Sequence, residues 1–366
     1  MILRTFLRSS CRIGSPEARY DFLLLALALS VIGAINAGGL TSQVQATPPT
    51  ITLWYDTVQH FGTPGNTQRW INLLGTVQSQ TGIQWLSYRL NQAGSRLLSR
   101  GSDGRRLARS GDFNVEIHRD SLQVGENQVV ITAIDSAGAT TDQLVTVHYT
   151  DQNTWPLPYS VVWDQEDTLQ RAVQITDGHW KRVPGGIRTV APYYDRVLAV
   201  GDSSWRNYEV TTTVIFHEFA PPRPGPPTFG VSHAAIATRW PGHDRDTQQP
   251  HVKWFPLGAT AEFRLTDGLD SCRWRIFDGE RLYVEDTSQI RSIALETRYH
   301  MKHRVQNVGD TTLYQVKLWS DGQSEPPVWS LEAREAAVGN ETSGSALLLA
   351  HNTDVTFGDI YVVPVE

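Results

Sequence analysis

From Thr50 to Thr150 apolar and polar residues alternate in short runs broken by Gly, Asn, Asp and Ser. No stretch holds a 3.6-residue apolar period for about three turns, so the pattern predicts strands rather than helices. In VGENQVVITAIDSAGATTDQLVTVHYT, Val129, Ile131 and Ala133 share a face, a Ser-Ala-Gly turn follows, and Leu144, Val145 and Val147 begin a return strand. That is a hairpin signal. RWINLLGTVQSQTGIQWLSYRL predicts two more strands around a Thr-Gly turn. From Tyr159 to Glu366 the alternation resumes in YEVTTTVIF, AAIATRW, AEFRL, CRWRIF, YHMKHRVQN, LYQVKLW, ALLLAH and FGDIYVVPV, predicting a sandwich of roughly 10 to 14 strands. Residues 151–158, with Asp151, Asn153, Trp155, Pro156 and Pro158, read as a linker, and the proline cluster 220–227 reads as a surface loop because proline cannot donate to a ladder. The expected fold class is all-β, with a sandwich over residues 48–150 followed by a larger one over 159–366.

Parity within these strands assigns faces. In HVKWFPLGATAEFRL, Ala261, Phe263 and Leu265 oppose Glu262 and Arg264, predicting a half-buried strand, while Trp254-Phe255-Pro256 reads as a loop or bulge. Further along, Cys272, Trp274 and Ile276 oppose Arg273 and Arg275; His300, Lys302 and Arg304 share a face; and Gln315, Lys317 and Trp319 share another. If those three strands are neighbours, Arg273, Arg275, Lys302, Arg304 and Lys317 form one cationic surface with Trp319 as a ring to stack on a sugar, and an anionic glycan is the ligand this suggests. Trp240 and Trp254 are the expected loop contacts around it. The alternative is that the basic residues solubilise an exposed sheet and pair with acids across strands.

Charge and the chain start then narrow the picture. Arg4, Arg8, Arg12 and Arg19 precede the apolar run FLLLALALSVIGAI, and Val44-Gln45-Ala46 offers a small-x-small cleavage site, so residues 1–46 read as a secretory leader, or as an N-terminal membrane anchor if uncleaved. Of 32 basic and 38 acidic side chains, four Arg and two acids lie in that segment, leaving 28 and 36. That balance argues against a nucleic-acid partner. Cys272 is the one cysteine beyond the leader, so no disulfide framework is expected.

The run G-x-V, then GxNxVxITAxDxAGxT, then V-x-V-x-Y resembles the bacterial Ig-like modules of exported proteins, which implies a spacer. GHWKRVPGGIRT, WRNYEVTTTV, KLWSDGQSEPPVW and TFGDIYVVP are similar to the concanavalin A-like lectin and glucanase sandwich, in its laminin-G-like or carbohydrate-binding-module style. That resemblance implies a jelly roll that serves lectins, hydrolases and lyases alike. It also implies a structural calcium, with Asp359 in the final strand as a ligand and Asp164 or Glu166 approaching it; solvated acids at strand ends are the other reading. The motifs of catalysis are absent as sets. No glutamate is followed by x-Asp, as the retaining glycosidases of this fold require. Asp164/Glu166/Asp167 and Glu285/Asp286 lie beside turns, Gln249-Pro250-His251 departs from the lyase pattern, and His217-Glu218 lacks the second histidine of a zincin. His233, His243, His251, His300 and His303 are scattered, with Asp244 and Asp246 a further loop pair, and Asn340 opens a sequon relevant to a eukaryotic route alone. The expected function is non-catalytic binding of a polysaccharide at the cell surface or outside. A glycan-cleaving enzyme and a structural or adhesive surface protein are the alternatives.

Overall fold

A computed structural model describes residues 47–219, 231–243, 249–251, 254–265, 269–289, 291–337, 339 and 341–366. The leader, the proline cluster 220–227, Asp244, Asp246 and Asn340 lie outside the described residues. The chain is all-β, and Ala46–Glu366 forms a compact unit. Among the described residues no helix is long and apolar enough to cross a membrane.

The smaller sandwich pairs a sheet of Thr50–Leu53, Trp70–Gln78 and Asp112–His118 with a five-stranded sheet in the order Val58–Phe61, Thr140–Tyr149, Gly125–Asp135, Ile83–Leu90, Arg96–Leu97. The expected hairpin is present, with Gly125–Asp135 antiparallel to Thr140–Tyr149. Its turn is set locally. The Asp135 carboxylate accepts from the backbone N–H of Ala137 and Ala139 at 3.0 and 2.8 Å, and Gly138 takes φ +83°, a conformation that glycine adopts without steric cost. Val129, Ile131 and Ala133 are fully buried behind it. The two strands around Thr81-Gly82 diverge instead of pairing: Trp70–Gln78 joins one sheet and Ile83–Leu90 the other.

The larger sandwich has fifteen strands among the described residues, in sheets of seven and eight. The seven-stranded sheet runs Gln174–Asp177, Arg196–Val200, Ser345–His351, His233–Trp240, Ala259–Leu265, Cys272–Phe277, Tyr283–Glu285. The other runs Trp180–Val183, Gly186–Thr189, Thr353–Pro364, Tyr208–Phe219, Arg298–Val308, Thr311–Ser320, Leu331–Ala336, with Tyr159–Val161 also paired to Thr353–Pro364. Between them lies a core that includes Phe216, Phe263, Trp274, Met301 and Phe357, all fully buried. Each large ring there removes roughly 150–250 Å² from water, about 4–6 kcal/mol before conformational entropy is charged against it. Trp155, within the expected linker, is buried in this same core, and its backbone N–H donates to the Asp202 carboxylate at 3.0 Å.

The outer face of the seven-stranded sheet is covered too, which corrects the half-buried reading of Ala259–Leu265. Six of its seven residues are buried, because Val197, Ala199, Ala235, Ala237, Trp240, Trp254, Leu257, Leu347 and Leu349 form a second apolar cluster on that side. A bulge between Ala237 and Trp240, with Arg239 at φ +54°, turns Trp240 outward into this cluster.

The smaller sandwich is fastened to the larger through buried polar groups. Arg106, itself fully buried, donates to Glu116 at 2.7 Å and Asp177 at 2.8 Å, and also to the carbonyls of Thr176 and His251. Glu116 further accepts from Asn72 and from the His251 backbone N–H and ring. Tyr55 completes the seam, donating to Gly178 O and accepting from Trp180 N–H.

Candidate functional site

The expected basic surface does not assemble. Arg273 and Arg275 project from Cys272–Phe277 in the seven-stranded sheet, whereas Lys302, Arg304, Lys317 and Trp319 project from Arg298–Val308 and Thr311–Ser320 in the eight-stranded sheet, on the opposite side of the sandwich. Parity within each strand is as expected; the adjacency is not.

On the eight-stranded sheet the cations are matched by acids. Glu209 pairs with Lys302 at 2.6 Å and Arg304 at 2.7 Å, while Glu325 pairs with Lys302 at 2.8 Å and Lys317 at 2.7 Å. Burial pushes the Glu325 carboxyl up, but Lys302 and Lys317 outweigh it and hold the group below its ordinary value. Trp319 is 8% exposed, with His300 stacked on it at 5.0 Å. It offers little open ring to a sugar.

The calcium expectation also lacks support from the geometry. The Asp359 carboxylate accepts from Trp163 N–H at 3.0 Å and the Asp164 carboxylate from Gly185 N–H at 3.0 Å. Neither belongs to a cluster of three potential ligands among the described residues.

A different site forms on the outer face of the seven-stranded sheet, where a cleft of about 510 Å³ lies between the sheet, the loop carrying Phe255 and Leu257, Tyr194-Asp195, and Arg105 from the smaller sandwich. One end is aromatic. Phe255 and Phe277 are half-buried, with ring centroids 6.3 Å apart, and Arg275 lies 4.4 Å over Phe277. Trp254 also lines the cleft but is 7% exposed, with Arg106 stacked on it at 4.4 Å. Trp240 is fully buried and makes no open contact.

The other end is charged. The register of the sheet places His233 opposite His351 on one side and opposite Arg264 on the other, and Glu262 opposite Arg275. Glu262 accepts from Arg275 Nε at 2.8 Å, and its second oxygen lies 3.4 Å from His233 Nε2. Burial pushes this carboxyl up against the pull of Arg275 and Arg264. Arg264 is occupied in turn by Glu285 at 2.7 Å. Asp195 lies 2.7 Å from His351 Nδ1, the rings of His233 and His351 stack at 4.5 Å and 4°, and Tyr194 meets His351 edge-on at 4.8 Å. Arg105 lies 5.9 Å over Tyr194 and has no carboxylate partner among the described residues.

Of the residues expected from the sequence, Arg275 and Trp254 line this cleft; Glu262, Asp195, His233, His351, Phe255 and Phe277 were not foreseen as a site. The signal available for Glu262 and Arg264 was their shared parity in AEFRL. Nothing in the sequence pattern joins His233 to His351, which strand pairing alone brings together.

No family model matches the chain, and no curated protein matches it. Among solved structures it is similar to the metal-free form of the VIP36 exoplasmic/lumenal domain, at 10% identity over 58% of this chain and 93% of that one, with a TM-score of 0.38. A structure from work on endo-acting O-glycanases of the human gut microbiota overlaps at 7% identity, 58% and 95% coverage and a TM-score of 0.32. One from work on carbohydrate-binding modules of the β-sandwich superfamily overlaps at 10% identity, 88% and 98% coverage and a TM-score of 0.20. Overlaps at this level carry no ligand over to this chain.

Proposed function

We propose that the protein binds a glycan in the cleft of the seven-stranded sheet, and that the chain is exported by its N-terminal apolar segment, with an Ig-like smaller sandwich that also supplies one wall of the site. The observation that carries the reading is the juxtaposition of half-open rings, Phe255 and Phe277, with Arg275, Arg264, Glu262 and the paired histidines in one hollow. Rings cover the apolar face of a pyranose, and charged groups fix its hydroxyl or acidic substituents. Arg105, uncompensated among the described residues, favours an anionic sugar.

The test is affinity electrophoresis of the full chain against neutral and acidic polysaccharides. Phe277→Ala is expected to weaken binding about tenfold, the worth of one stacked ring, while Arg304→Ala on the opposite sheet leaves it unchanged. Affinity is expected to fall as salt rises. Equal losses from both variants would remove the cleft from consideration.

A second reading has its own observation. Asp195 and Glu262 both line the cleft, and His351 lies beside Tyr194 with two arginines nearby, a set of groups able to hold and move protons in glycan cleavage. Release of reducing ends or of unsaturated products on incubation with the bound polysaccharide, abolished in Glu262→Gln, would establish it. Binding without product leaves the lectin-like reading.

A further inference from the structure

We propose that Tyr283 extends the cleft into a second sugar-binding position, so that the ligand is a chain of at least two sugar units and not a single one. The inference rests on the glycan reading of the cleft and adds the length of what the cleft takes.

Strand register carries the floor of the cleft outward. Tyr283–Glu285 is the edge strand of the seven-stranded sheet, and it pairs Tyr283 with Phe277 and Glu285 with Arg275. Side chains directly opposite in an antiparallel pair share a face, their Cβ atoms about 5 Å apart. Tyr283 therefore continues the row of rings from Phe255 and Phe277 to the edge of the sheet. Val284 points the other way and packs on the core between the sheets. Phe255 and Phe277 are half-buried, whereas Tyr283 is 59% exposed and is the most open of the three rings.

The ring is held in place, and a cation stands beside it. The Tyr283 hydroxyl donates to the Glu285 carboxylate at 2.9 Å, and Glu285 is fixed in turn by Arg264 at 2.7 Å. A ring tethered at its hydroxyl has less rotamer freedom to lose when a ligand stacks on it. The Arg275 guanidinium lies 4.4 Å from the centre of the Phe277 ring and 5.6 Å from that of Tyr283. Its Nε and Nη2 are committed to Glu262. Its Nη1 has no protein partner among the described residues, so it is available to donate to a hydroxyl or an acidic substituent where two sugar units meet. One ring inside the hollow, one at its mouth and a shared donor between them make a track for a chain.

The test varies the length of the ligand. Polygalacturonate, alginate and hyaluronate would be screened by affinity electrophoresis with the full chain, and the one retained most strongly cut into fragments of defined length for calorimetry. Affinity is expected to rise about tenfold from the single sugar unit to longer fragments, the worth of a second stacked ring. Tyr283→Ala should remove that gain and leave the single unit unaffected, while Tyr283→Phe, which keeps the ring, should retain most of it. Phe277→Ala should weaken the single unit and the longer fragments alike. Loss in Phe277→Ala with no loss on any fragment in Tyr283→Ala would overturn this inference and leave the cleft standing. No loss in either variant would remove the cleft reading and this inference with it.

Discussion

Arg106→Met is expected to lower the free energy of unfolding by about 3–5 kcal/mol, the cost of removing one member of a buried ion pair and leaving its partners charged. The side chain keeps most of its volume in this substitution, so packing is largely preserved and the loss is electrostatic. Glu116 would keep Asn72 and His251 and Asp177 would keep Arg196 at 3.7 Å, but each would lose its shortest charged donor, and the carbonyls of Thr176 and His251 would each lose one donor. Urea denaturation at pH 7 measures the effect. Adding Glu116→Gln to Arg106→Met should restore part of the loss, because it removes one stranded charge. A change below about 1 kcal/mol, as for an exposed pair, would show that the seam between the sandwiches does not depend on this guanidinium.

Lowering the pH from 7 to 5 is expected to cost about 4 kcal/mol through two buried histidines, about 2 kcal/mol each. Burial holds His243 down to about 3, with Arg106 and His251 adding to the effect against Glu116. Burial likewise holds His303 down to about 4, opposed by its hydrogen bond to Ile236 O. Both are neutral in the fold and take up protons when unfolded below about pH 6.5. Their stabilisation is therefore complete above that pH and is lost as the pH falls towards the folded values. Asp177, which burial raises to about 6 against the pull of Arg196 and Arg106, runs the other way. Its protonation between pH 7 and 5 returns about 1 kcal/mol. These three groups together are expected to contribute a loss of about 3 kcal/mol to the difference between urea midpoints at the two pH values. His303→Gln should reduce its own pH-dependent loss by about 2 kcal/mol; a variant with an unaltered profile would show that His303 is not the group responsible.

Alternation made the strands and their faces legible, because a period of two survives whatever lies above the sheet. Cys272, Trp274 and Ile276 are buried and Arg273 and Arg275 are not, as parity requires. Sheet membership was not legible. The basic surface was conditional on Cys272–Phe277 and Arg298–Val308 being neighbours, which parity within each strand says nothing about. Here the chain between them crosses from one sheet to the other. The same limit hid the cleft. Glu262 and Arg264 carry the parity of a solvated face, yet Glu262 is 2% exposed, because distant loops and Arg105 of the smaller sandwich close over it. His233 and His351 are registered partners on neighbouring strands, a proximity that exists only once the sheet is ordered. Trp319 had the right parity for a ligand ring but is covered by His300.

The central claim, that ligand is held on the outer face of the seven-stranded sheet, is tested most directly by hydroxyl-radical footprinting of the full chain with and without a bound polysaccharide. Protection of Tyr194, Phe255 and Phe277 is the predicted result, with no change at Trp319 or at Trp329, the ring over which Arg304 and Lys317 of the eight-stranded sheet lie at 4.8 and 4.2 Å. Protection confined to Trp319 and Trp329, on the side of the eight-stranded sheet, would contradict it.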